Sequence, residues 1–173
     1  ELVDYYREIF GILSQYALSQ TTGQLLHRDT FAVSDVMDDA SAFIEKTRSK
    51  TGYGDKVSVE ASALKVSADR VMLKYLIESL IERGITEGGD MSLTASAQGG
   101  FVRFELHRKC QTSTQEVLDG LFTPLMNKEN MAYVMCRQII REHDEAFGQP
   151  GCRINAESEK DGMVIWFTVP KAE

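Results

Sequence analysis

With 173 residues, 43% of them apolar and 26% charged, the chain is long enough to bury one full core and reads as one domain with an added N-terminal arm. A formal net charge of −7 and an isoelectric point near 5.1 argue against the basic face that a nucleic-acid partner requires. No apolar run reaches the length of a membrane span, so no membrane contact is expected of this segment.

The first residue is Glu1, not Met, and no signal peptide follows it, so the sequence is expected to be a segment of a longer protein. Residues 2–20 read as a helix with Leu2, Tyr5, Tyr6, Ile9, Leu13, Tyr16 and Ala17 on one side. That side either packs on its own domain or meets a partner helix in a dimer, and periodicity does not separate the two. Residues 1–24 are therefore set apart as an N-terminal helix, and residues 25–173 as the main domain.

Leu25 to Phe31 reads as a short strand with a break at Asp29 and Thr30. Ser34 is the expected cap of a helix from Asp35 to Arg48, with Val36, Met37, Ala40, Phe43 and Ile44 inward. Thr51 to Asp55 reads as a turn. Val57, Val59 and Ala61 alternate as in a strand, and Ala63 to Val66 reads as a brief second one. The central helix runs from Ser67 to Thr86, with Leu73, Leu76, Ile77, Leu80, Ile81 and Gly84 on one stripe. Ser67 is its expected cap, and Gly88 with Gly89 its stop.

Met91 to Ala97 and Phe101 to His107 read as a hairpin turning at Gln98, Gly99 and Gly100. A short helix or turn is expected from Glu116 to Leu121, and a third long helix from about Glu129 to Asp144. After a turn at 148–151, Cys152 to Ser158 and Met163 to Val169 form a second hairpin. The order predicts an α/β two-layer sandwich: a mixed sheet with helices on one face, preceded by the N-terminal helix.

Over Leu25 to Pro170 this order and spacing resemble the ATP-binding domain of sensor histidine kinases, the GHKL-type ATPase fold. Asp69, Leu73 and the ESLIERG segment match that family's D-x-x-x-L…N-L-x-x-N-A helix. Phe122, Thr123 and Pro124 match its F-x-P box. CRQIIREHDE resembles the helix after its second glycine box. Ile154 to Gly162, followed by FTVP, matches its terminal hairpin.

The positions that do chemistry in that family depart from the pattern. Its two helix asparagines fall on Ser79 and Arg83, and the second normally holds Mg²⁺. An arginine has only donors and a fixed positive charge, so it repels a cation. The family's D-x-G-x-G box falls on Arg108 to Thr112, which sets Arg108 in place of the adenine-binding Asp. Cys110 and Thr112 replace glycines that let backbone approach the nucleotide. The phosphate-cradling second glycine box falls on Asn130 to Tyr133, with Asn130 and Ala132 at its glycines. The lid, Thr123 to Glu129, is short. Losing adenine acceptor, metal ligand and phosphate cradle together costs more than roughly 5 kcal/mol, or several powers of ten in affinity.

The resemblance therefore implies a degenerate ATP-binding domain of a two-component signalling protein, with no catalytic residue, no metal and no cofactor of its own. It implies a homodimer through the N-terminal helix and a further signalling protein as partner. The competing reading is a divergent but active histidine kinase that binds ATP and Mg²⁺ and phosphorylates a His upstream of Glu1. A third is a scaffold fragment whose only task is dimerisation.

The remaining candidates read as structural. His27, His107 and His143 have no base, nucleophile or ligand partner at useful spacing, and His143 sits where a helix dipole favours charge. Asp35, Asp38 and Asp39 read as a solvated helix start rather than a metal site. Cys110, Cys136 and Cys152 are odd in number and far apart, which fits neither a disulfide framework nor zinc and suggests a reducing, cytoplasmic compartment. Arg83 and Arg108, with Lys109 nearby, either bind an acidic ligand or pair with Glu78, Glu82 or Glu105.

Overall fold

The computed structural model describes residues 26–52, 56–123, 131–146 and 150–173. The expected helix over residues 2–20, the core of the turn before Lys56, most of the lid and Asn130 lie outside the described residues.

Five strands form the main sheet. In chain order they are β2 (Val57–Val59), β4 (Met91–Gln98), β5 (Phe101–Lys109), β6 (Ile154–Glu159) and β7 (Gly162–Pro170), and in space they run β2-β4-β5-β7-β6. β2 lies parallel to β4, and every other pairing is antiparallel, so the sheet is mixed as the element order predicts. The two hairpins account for the long β4–β5 and β6–β7 ladders, and β5 and β7 zip them together from Phe101↔Pro170 to Lys109↔Gly162.

A separate two-stranded sheet joins β1 (Asp29–Ala32) to β3 (Lys65–Ala68). The expected break at Asp29 and Thr30 is instead the first half of β1, because both residues pair, with Ala68 and Ser67. The small sheet meets the end of β7 through a bridge between Val66 and Lys171.

Alternation along β5 puts Val102, Phe104 and Leu106 on one face, and all three are buried. Phe104 stacks on Phe167 across the β5–β7 pair, centroids 4.9 Å apart. Helices α1 (Val33–Thr51), α2 (Arg70–Glu87) and α4 (Met131–Ala146) supply the facing stripes, while the short α3 (Gln115–Asp119) packs beside β6. The α2 stripe is buried as the periodicity requires, with Leu73, Leu76 and Ile81 fully so.

Helix starts differ from the expected ones. α1 begins at Val33 rather than after Ser34, and its N-cap, Ala32, makes no side-chain cap bond. Its first turn is held from outside, by the Val33 amide donating to the Leu64 carbonyl. The α2 cap is Asp69, not Ser67: Ser67 is committed to β3, and an Asp69 carboxylate oxygen accepts the Met72 amide at 3.0 Å. At the other end Gly88 and Gly89 both take positive φ, and a side chain at Gly89 would run into the Lys109 carbonyl. Those two glycines turn the chain from α2 into β4 and so fix where the end of α2 stands over the sheet.

The β6 edge is blunted by a side chain. The Gln115 amide donates to the Ala156 carbonyl at 2.9 Å and accepts the Ser158 amide at 3.1 Å, imitating a neighbouring strand.

Candidate functional site

α2 and α4 converge on the helix-covered face of the sheet where β4 and β5 meet the end of α2. Arg83 and Arg108 arrive there from different elements, α2 and the last turn of the β5 pleat, and one carboxylate joins them. Glu87 lies one helical turn after Arg83, with Oε1 3.7 Å from the Arg83 guanidinium. Its other oxygen accepts from Arg108 Nη1. The expected partners were Glu78, Glu82 or Glu105. Glu78 instead pairs with Lys74, and Glu105 lies on the opposite face of the sheet. The i,i+4 spacing from Arg83 to Glu87 was the signal available in the sequence.

Tyr133, 2% exposed, closes the cluster from α4. The Arg83 guanidinium lies 5.9 Å from its ring centroid, and Phe122 meets the ring edge-on at 6.0 Å. Burial, with the Glu87 charge adding to it, pushes the phenol pKa up to about 12, so the ring stays neutral. For Arg108, burial works against the charge, but the hydrogen bond and charge of Glu87 outweigh it and raise the pKa. The Nε atoms of Arg83 and Arg108 are buried without a hydrogen-bond partner among the described residues.

Among the described residues, the space beside the cluster is small. The cavity bounded by Leu80, Gly84, Leu106, Arg108, Tyr133 and Ile165 measures ≈ 10 Å³, enough for about one water. Met91 fills the gap that Gly84 leaves: a Cβ added at Gly84 would collide with the Met91 sulfur. The guanidinium of Arg83 offers a cation nothing to ligate.

Among the described residues, the other predicted positions make no contact with Glu87. Ser79 lies one turn before Arg83 on α2, half-buried. Cys110 and Thr112 follow β5 and are tied to the β6–β7 turn, the Cys110 amide to the Asp161 carbonyl and the Thr112 hydroxyl to the Lys160 carbonyl. Ala132 stands in the first turn of α4, beside Tyr133.

His143 is structural, though not for its charge. Its ring is fully buried; Nδ1 donates to the Ile139 carbonyl at 2.8 Å, and Nε2 accepts the Asp69 amide at 3.1 Å. Burial holds its pKa below the ordinary imidazole value, so the dipole argument for a charged ring fails and a neutral ring stitches α4 to the start of α2. His107, on the open face of the sheet, lies between two carboxylates: Nε2 is 2.8 Å from Glu105 and Nδ1 3.0 Å from Glu159. Burial opposes its charge, yet the two hydrogen bonds and the carboxylate charges prevail and raise its pKa. On the same face Arg103 lies over the Trp166 ring at 4.2 Å, a contact with no sequence signal.

Asp39 pairs with Arg70 across α1 and α2. Among the described residues no group of three or more His, Cys, Asp or Glu side chains is placed to hold a metal, and no helix is long and apolar enough to cross a membrane. All three cysteines are free, and burial pushes the Cys136 and Cys152 thiols up to about 12.

No protein-family model matches the chain, and no curated protein matches it. Solved structures do. The nucleotide-free catalytic domain of histidine kinase ThkA superposes with a TM-score of 0.70 at 21% identity, over 84% of this chain and 98% of that one. ThkA in complex with the response regulator protein TrrA matches with a TM-score of 0.74 at 21% identity, over 98% of this chain and 49% of that one. The Acinetobacter baumannii histidine kinase AdeS gives a TM-score of 0.75 at 14% identity, over 99% and 81%. At these identities the likeness is one of architecture: the chain has the fold of a sensor histidine kinase catalytic domain.

Proposed function

We propose that this chain is a signalling module that keeps the histidine-kinase catalytic fold without holding nucleotide, and that acts by binding and shape rather than by phosphoryl transfer. The observation that carries the reading is the Arg83–Glu87–Arg108 cluster under Tyr133. Its arginines stand at positions that the resemblance assigns to nucleotide contacts, and the cavity beside them among the described residues measures ≈ 10 Å³. Two guanidinium groups stand where the family's pattern has a metal-binding amide and an adenine-binding carboxylate. The hydrophobic stripes that hold the fold do not depend on those groups, so the architecture survives their exchange.

Its partners belong to two-component signalling. ThkA, which shares the fold, has been seen in complex with a response regulator, and a response regulator is the partner we propose here.

Thermal unfolding with MgATP tests the reading. A site with a dissociation constant of about 10 μM would stabilise the fold by about 2.7 kcal/mol at ~1 mM ATP, which for a domain of this size is about 5–10 °C. The expected shift is under about 1 °C. A rise of several degrees at sub-millimolar MgATP would restore the reading of a divergent, active kinase.

A further inference from the structure

A larger cavity among the described residues opens on the other face of the sheet. It measures ≈ 590 Å³, within the usual range of small-molecule sites, and opens at the end of the sheet where β2 and β4 begin and β5 ends. Met91 and Arg108 line both cavities, so the two share a wall. Strand alternation builds the floor. Ser58 pairs with Ser92, and Ser92 with His107, which puts two hydroxyls and the imidazole in one row across three strands. Lys109 follows on the same side of β5, Lys56 immediately precedes β2, and Lys160 overhangs from the β6–β7 turn.

The charges here are unequal in their commitments. The Glu159 carboxylate is engaged by His107. Glu105 behind it is shared by His107 and Arg103. Arg108 is spent on Glu87, on the helix side. Asp90 accepts the Lys56 amide at 2.9 Å. The ammonium groups of Lys56, Lys109 and Lys160 form no ion pair among the described residues. Those three outweigh the two carboxylates left on the rim, Asp90 and Asp161, on a chain whose net charge is −7.

We infer that this cavity is a binding site for a small polyanion carrying phosphate or carboxylate groups. The three lysines supply charge from three sides, and the Ser58 and Ser92 hydroxyls supply directed donors at the floor. The site does not depend on the helix-side pocket being closed, since the sheet separates the two. Its lysines are solvent-exposed, so the affinity is millimolar to high micromolar and falls with salt.

The test is an amide-resolved NMR titration of the whole chain at fixed ionic strength, with pyrophosphate in one arm and citrate in the other. Saturable shifts at Ser58, Ser92, His107 and Lys109 are expected in at least one arm below ~10 mM. Response to pyrophosphate alone identifies a phosphate ligand, and response to citrate alone a polycarboxylate. Lys56→Gln, Lys109→Gln and Lys160→Gln together should weaken binding about tenfold or more. Lys56→Gln with Lys160→Gln, both outside the strands, gives a second variant that leaves the sheet untouched and should weaken it several-fold. No saturable shift in either arm, or unchanged titration curves in both variants, would overturn the site. A pyrophosphate control keeps the two readings apart: a midpoint rise given by MgATP and not by pyrophosphate belongs to the helix side, and one given by both belongs to the lysine cavity.

Discussion

Removing the carboxylate of Glu87 should destabilise the domain far more than removing an ordinary surface acid. Glu87 is about one-third exposed, but the Arg108 side chain it holds is only 13% exposed, and Arg83 26%. Two unit charges about 4 Å apart interact by about 1 kcal/mol in water and about 4 kcal/mol at an effective dielectric of ~20. The geometry here lies between those limits. The Glu87→Ala change also leaves two guanidinium groups facing each other beside Tyr133. A loss of about 2–3 kcal/mol follows, or roughly 5–10 °C in midpoint. The assay is a double-mutant cycle of Glu87→Ala and Arg108→Ala by urea unfolding. The expected coupling is about 1–2 kcal/mol, against about 0–1 kcal/mol for an exposed pair. Because Arg108 is mostly shielded, most of that coupling should persist in ~1 M NaCl. Additive single-mutant losses, or a coupling that vanishes in salt, would show that these charges merely share a surface and do not plug the interior.

His143 and His107 should pull stability in opposite directions with pH. His143 has a folded pKa below the unfolded value of 6.5, so its contribution is present above that value and is lost as pH falls towards the folded one. His143→Leu should therefore flatten the acid limb of the unfolding free energy while costing about 2–3 kcal/mol at neutral pH, where the Asp69 amide loses its acceptor; an unchanged acid limb would refute the neutral-ring assignment. His107 has a raised folded pKa, so its contribution is complete below 6.5 and is lost as pH rises through the folded value. His107→Gln should remove that alkaline loss, and an NMR titration of the ring showing a pKa at or below 6.5 would contradict the double carboxylate clamp.

Much of the architecture is written in local pattern. The stripe from Leu73 to Ile85 and the stripe from Tyr133 to His143 could bury only as helices. The alternation at Val102, Phe104 and Leu106 and the glycines at 99 and 100 dictate a hairpin. These signals arise between residues a few positions apart, where period and turn chemistry act directly. What the sequence did not disclose are the choices made between distant segments. Asp69 rather than Ser67 caps α2, because Ser67 is drawn into a strand pair with Thr30. His143 is neutral because its ring is sealed against the Asp69 amide, 74 residues away. Arg83 and Arg108 share Glu87 because the Gly88–Gly89 turn brings the end of α2 over the end of β5. Charge, protonation and free volume depend on what faces a side chain across the core, and only folding decides that.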